Sequence, residues 1–207
     1  MHMAKLFFDI ETIPCEEEKK KDLEEVVRKK FKMSDEDNDW HHKTGLDGTF
    51  GRICCIGYIK EDGAVSRGVI HGEEKEILKE FWQIAANVHQ FIGHNIWSFD
   101  LPFIYQRSII LSVKPRQDIS FARYRNTPIY DTMCEWTLWD LNEQKRQKLD
   151  TLAKVMGLPT SKDLMDGSKV WTYFQKGKIE EICQYCMKDV ELVRQVYNRM
   201  TFGNMPQ

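Results

Sequence analysis

The chain has 207 residues, 42% of them hydrophobic and 30% charged, which fits one domain of the usual ~100–200 residues and leaves no room for a nuclease joined to a polymerase. Thirty basic against 32 acidic residues give a net charge of −2, so there is no polybasic tail. No apolar run reaches the ~18 residues of a membrane span.

The opening MHMAKLFFDIETIP has too short an apolar run before its acids for a signal peptide. Within it Ala4–Asp9 reads as a buried strand that stops at its acids. Glu16–Lys32 is charged and helix-favouring, with Leu23, Val26, Val27 and Phe31 as a narrow apolar stripe. The polar stretch from Met33 to Phe50, which includes His41 and His42, reads as a long solvated loop. Residues 16–50 are the candidate insertion.

Arg52–Lys60 and Ala64–Ile70 are strand-like around a Glu61-Asp62-Gly63 turn, which makes a hairpin. A helix over Glu73–Ala86, a strand over Val88–Gly93 and a helix over Phe99–Arg107 follow, with Pro102 tolerable only in a first turn. Ile129–Asp131 is a short strand, Leu149–Met156 a helix closed by Gly157, and Ile179–Met200 a long last helix. A hairpin followed by strands alternating with helices predicts a single α/β domain with a mixed sheet.

Six cysteines form no disulfide framework, and although Cys183 and Cys186 read as CxxC, Cys54 and Cys55 are adjacent inside an apolar run. That is a poor match to structural zinc spacing, so reduced, partly buried thiols in a cytoplasmic protein are expected.

Acids at strand ends carry the chemistry. Asp9 and Glu11 are two apart, so their side chains share one side of a sheet. Asp100 follows the strand Val88–Gly93, and Tyr185 and Asp189 are four apart on one helix face. Ligands of open α/β sheets bind beyond the carboxyl ends of strands, so these segments can converge. Four carboxylates together repel one another unless cations join them, and oxygen-rich sites suit Mg²⁺ or Mn²⁺.

FFDIETIP, GHNIWSFDLPFI and YCMKDVELV resemble the three exonuclease motifs of the DnaQ-like DEDD superfamily of 3′–5′ exonucleases, and PIYDTM and LDTLAKVMGLP are smaller matches. Tyr185 stands four before the last Asp, while Gln184 occupies the place where the other branch has histidine, so the pattern is the tyrosine type. Within that type the chain is most similar to stand-alone domains resembling the proofreading exonuclease of family-B DNA polymerases. The resemblance implies a ribonuclease H-like mixed β-sheet flanked by helices. It also implies two divalent cations, Mg²⁺ or Mn²⁺, held by Asp9, Glu11, Asp100 and Asp189. Asp9 would bridge both, Glu11 and Asp189 complete one site, Asp100 hold the other, and Tyr185 position the attacking water. By the same analogy Thr12 lies beside the terminal nucleotide, Asn95 beside its sugar or phosphate, and Phe99 near the base or ribose. Asp131 is a supporting residue.

The implied activity is metal-dependent removal of nucleoside 5′-monophosphates from single-stranded 3′ ends, DNA favoured over RNA. An RNase D-like exoribonuclease and a non-catalytic, polymerase-associated binding module are the alternatives. An aspartyl-nucleophile phosphatase fits less well, because the run Asp-Ile-Glu-Thr-Ile lacks its second aspartate. His94 reads as a hydrogen-bonded structural residue. The segment Lys114–Pro128 interleaves Lys114, Arg116, Arg123 and Arg125 with Phe121 and Tyr124. It is either a single-strand track or an exposed loop with docked rings.

Overall fold

The computed structural model describes residues 3–34, 36–160 and 166–203; Met1, His2 and Asp35, which fall in stretches read above, lie outside them. In chain order the first elements are β1 (Lys5–Ile13), α1 (Lys20–Phe31), α2 (Trp40–Thr44), β2 (Arg52–Glu61), β3 (Val65–His71) and α3 (Glu74–Ile84). The rest are β4 (Gln90–Gly93), α4 (Asp100–Ile110), β5 (Ile129–Asp131), α5 (Thr132–Trp136), α6 (Leu149–Val155), α7 (Val170–Gln175) and α8 (Ile179–Met200).

Strand β1 runs four residues past Asp9 because β2 pairs with it antiparallel along its whole length, from Lys5 opposite Glu61 to Ile13 opposite Arg52. The acids therefore lie inside the strand rather than at its tip. On the other side of β1, β4 runs parallel and pairs only with Lys5, Leu6 and Phe7. Asp9 and Glu11 thus still sit beyond the carboxyl end of a parallel pair, where α/β sheets bind ligands. The described strands form one mixed sheet in the order β3-β2-β1-β4-β5.

Strand alternation splits β1 between two cores. Leu6, Phe8 and Ile10 pack with Ile77, Leu78 and Phe81 of α3 and Leu101, Phe103 and Ile104 of α4. Phe7 faces the other way, against Val190, Val193 and Tyr197 of α8. Burying each such side chain is worth about 1.5–3 kcal/mol, which fixes the register and with it the face that carries Asp9 and Glu11. Helix α8 presents Ile182, Cys186, Val190, Val193 and Tyr197, three or four apart, to this face. It comes so close at Gly57 that a Cβ there would stand 3.0 Å from both Cys186 Sγ and Val190 Cγ2.

At Glu11 the ladder slips: Glu11 opposes Cys55 and Thr12 opposes Ile53, leaving Cys54 as the extra residue of a bulge. The Ile53 N–H donates instead to Glu74 Oε1 at 2.8 Å. Glu74 also receives Arg107 Nε at 2.9 Å and Nη2 at 2.7 Å, a buried bidentate pair that ties α4 to the start of α3. The bulge also puts Cys54 and Cys55 into one cluster with Cys183 and Cys186, a convergence the linear spacing did not foretell. All six thiols are free and buried.

The expected helix in Glu16–Lys32 forms as α1, but residues 33–50 depart from the expected loop. Val27, Trp40 and Phe50 bury one another in a small separate cluster, with Leu23, Phe31 and Met33 against it. Val26, expected in the stripe, is exposed. His41 is buried rather than solvated: its Nε2 lies 2.9 Å from the Cys15 carbonyl and its ring meets Trp171. No described helix is long and apolar enough to cross a membrane.

Candidate active site

Glu11 and Asp9 look from β1 toward α8, and oxygens of both lie within 4.8 Å of each other and of Cys186 Sγ. Asp100 arrives from the opposite side. Its helix starts at Asp100 itself, with Pro102 in the first turn as the sequence required. The Ile10 N–H, beyond the reach of β4, donates to Asp100 Oδ1 at 3.1 Å. Asp189 stands close enough to raise the proton affinity of both Asp9 and Glu11, as does Asp100. The four acids named from the sequence are therefore brought together.

Their electrostatics are those of crowded, buried carboxyls. Asp9 is pushed well above the usual carboxylate range by burial, then by Asp100 and Asp189. Glu11 is pushed up by burial and then by Asp9. Burial also raises Asp100, to about 7, against the pull of the Ile10 N–H. Like charges this close oppose joint ionisation, and hard oxygen donors in such density suit a divalent cation. The donor set fits the metals that the resemblance implies. Cys186 is a different kind of neighbour. A hydrogen bond with Cys55 lowers its pKa, but burial and the Asp9 and Glu11 charges raise it further, so it remains a thiol. A thiol is a poor ligand. Its Sγ donates to the Asp9 carbonyl at 3.4 Å and accepts the Gly57 N–H at 3.2 Å, which makes it a packing contact behind the acids.

Tyr185 shares the α8 face with Asp189, one turn earlier. Burial and the Asp189 carboxylate raise its phenol above its ordinary value, so the hydroxyl stays protonated and its oxygen stays beside the acids.

Thr12 and Phe99 line a cleft of about 390 Å³ with Ile10 and Glu11. The Thr12 hydroxyl donates to the Gly45 carbonyl at 2.6 Å, tying β1 to the 16–50 segment. That segment supplies Asp39, His42, Lys43 and Leu46 as one wall, and Trp171 of α7 closes another. Of these wall residues the sequence reading named only His42, as a loop residue; for Trp171 the available signal was an Asp-Gly-Ser cap before α7, with Asp166 accepting from the Ser168 N–H at 2.8 Å. A second hollow of about 260 Å³ joins Tyr185 and Asp189 to Lys148, Asp150 and Asp166.

Asn95 has a left-handed backbone, φ 65°. Asp131 holds it there, accepting from the N–H groups of Asn95 and Trp97 at 2.9 Å each, and also from Met133 and Cys134 at the start of α5. Asp131 thus acts on the loop leading to Asp100. A Cβ at Gly93 would fall 1.9 Å from Ile96 Cγ2, so the return of this loop requires glycine. Both His94 ring nitrogens are engaged, with Thr132 Oγ1 and the Gln147 carbonyl at 2.9 Å. Burial lowers its pKa, consistent with the structural role expected.

A family described as a predicted 3′–5′ exonuclease related to the exonuclease domain of PolB matches residues 47–204. The chain belongs to this family. It is a 3′–5′ exonuclease domain, a hydrolase, and its match takes in Asn95, Phe99, Asp100, Tyr185 and Asp189 while leaving β1 outside. Among solved structures it is similar to the family B DNA polymerase of the hyperthermophilic archaeon Pyrobaculum calidifontis, with a TM-score of 0.62 and 16% identity over 97% of this chain. The domain corresponds to 25% of that polymerase. The likeness shows a shared ribonuclease H-like fold. No curated protein matches by sequence.

Proposed function

We propose that this exonuclease domain hydrolyses phosphodiester bonds at the 3′ end of single-stranded nucleic acid, DNA in preference to RNA, and releases nucleoside 5′-monophosphates. The observation that carries the reading is the convergence of Asp9, Glu11, Asp100 and Asp189 with Tyr185 at their side. In this reading the four carboxylates hold two divalent cations, Mg²⁺ or Mn²⁺. Bound there, such a pair lowers the pKa of a water and screens the phosphate charge.

The chain's own groups do the rest. The Tyr185 hydroxyl, kept protonated, orients the attacking water through a hydrogen bond. Phe99, Trp171 and Leu46 offer the terminal base an apolar wall, and Thr12, by fixing Gly45, holds that wall against β1. Asn95 is assigned to the sugar or phosphate; its side chain makes no hydrogen bond among the described residues, and its backbone is clamped by Asp131. The whole chain then works as one domain in the cytoplasm, with 16–50 as an insertion that shapes the cleft. Free buried thiols support that location.

The test is degradation of 5′-labelled single-stranded DNA and RNA with Mn²⁺ or with EDTA. The expected result is a ladder shortening one nucleotide at a time, only with metal, and faster on DNA. A faster RNA ladder replaces the substrate with an RNase D-like one. Tight binding of either strand without cleavage in Mn²⁺ leaves a non-catalytic module instead.

A further inference from the structure

The basic and aromatic segment before β5 splits in two. Phe121 docks on Tyr105, 5.6 Å between centroids, and joins the main core. Tyr124 does not dock: it is 74% exposed, in a run from Arg123 to Thr127 that is exposed throughout. Its ring meets Trp139 at 5.5 Å, and Trp139 meets Trp97 edge-on at 5.9 Å. Arg123 lies over the Trp97 ring at 4.9 Å.

This cluster is built, not loose. The Trp139 indole N–H donates to Glu135 Oε1 at 3.1 Å, which fixes the ring and occupies the local carboxylate. Tyr124, Leu138 and Trp139 have left-handed backbones, φ 62°, 51° and 63°, a conformation bulky residues adopt only when their surroundings impose it. Between Tyr124–Thr127 and Glu135–Trp139 lies an open hollow of about 480 Å³. Arg125 lines it and makes no ion pair among the described residues.

The cluster is also continuous with the catalytic loop. Trp97 hangs on the same Asp131 carboxylate that holds Asn95. Tyr124 and Trp139 flank β5, the last strand in the sheet order, whose three residues span only about 10 Å at ordinary strand rise.

We propose that Tyr124 and Trp139, with Arg125, form a stacking subsite for a nucleobase lying 5′ of the terminal nucleotide on single-stranded nucleic acid. Exposed rings beside unpaired guanidinium groups are what such a strand recognises, the rings by base stacking and the cations through phosphate. The 5′ placement rests on the exonuclease reading above; the stacking does not.

Tyr124→Ala, Arg125→Ala and Tyr124→Phe test it, since both side chains are exposed and the fold does not depend on them. Binding of fluorescein-labelled dT12 is measured in EDTA, where no cleavage occurs. The expected result is a roughly tenfold weaker Kd for each alanine variant and a Kd within twofold of the wild type for Tyr124→Phe, the size of one lost stacking or phosphate contact. With Mn²⁺, KM for the oligonucleotide rises similarly, while hydrolysis of thymidine 5′-monophosphate p-nitrophenyl ester, which has no upstream base, is unchanged. Kd values equal to wild type in both alanine variants overturn the subsite and leave the surface to a protein partner. Wild-type protein that binds dT12 through Tyr124 yet cleaves neither substrate overturns the exonuclease reading alone.

Discussion

The floor and the outer wall of the cleft are made differently. Asp9, Glu11, Asp100, Tyr185 and Asp189 stand on β1, α4 and α8, whose apolar faces belong to the two main cores on either side of the sheet. Asp39, His42, Lys43 and Leu46 stand on a segment held by its own small cluster of Val27, Trp40 and Phe50. The two parts meet along a seam of backbone contacts, Thr12 to Gly45, Cys15 to Thr44 and His41 to Cys15 among them. The groups proposed to perform the chemistry are thus over-determined by the core, as precise positioning demands. The groups proposed to meet the substrate sit on a satellite with a small core of its own.

This contrast makes predictions of decreasing size. On the floor, Asp9→Ala or Asp189→Ala lowers kcat by at least about a thousandfold, as loss of a metal-holding carboxylate should, with an unchanged circular dichroism spectrum. Near-normal turnover in either variant removes that residue from the site. Tyr185→Phe retains the ring and loses the hydroxyl; the expected fall in kcat is roughly a hundredfold, with oligonucleotide affinity in EDTA unaltered. On the wall, Lys43→Ala and Leu46→Ala raise KM about three- to tenfold and leave kcat within twofold, the mark of lost uniform binding. A kcat effect as large as that of Tyr185→Phe would erase the distinction between wall and floor.

The smallest effect concerns pH. Asp9, Glu11 and Asp100 hold their protons more tightly folded than unfolded, Asp100 to about 7 against an ordinary 3.8. Their contribution to stability is therefore full below the unfolded value and is lost as pH rises through the folded one. In EDTA the melting temperature should fall between pH 5 and pH 8, and Mg²⁺ should recover part of the loss at pH 8. A melting temperature independent of both would show that the acids are not crowded in solution.

The floor was legible in the sequence because its chemistry is local. Asp9 and Glu11 share a face by strand alternation, and Tyr185 and Asp189 by helical spacing, whatever the rest of the chain does. The hairpin, the strand before His94 and the last helix were legible for the same reason, since their apolar periods are regular. The wall was not. Trp40 and His41 look like loop residues in a polar stretch, and only packing against partners far along the chain, Trp171 among them, makes a helix of them. The end of β1 was misjudged because its pairing with β2, not its own composition, keeps it extended past the acids. The bulge at Cys54 leaves no mark in one sequence, yet it decides which way two cysteines face.

Helix α8 brings Tyr185 and Asp189 to a centre whose other members, Asp9, Glu11 and Asp100, are all made before it. During synthesis the chain emerges from its amino end, so a nascent chain can complete its sheet while still lacking two of the five residues proposed for hydrolysis. Gly57 then acts as the seat for the last helix, accepting it only at close range. In the proposed enzyme, catalytic competence therefore arrives only when α8 docks on the finished sheet.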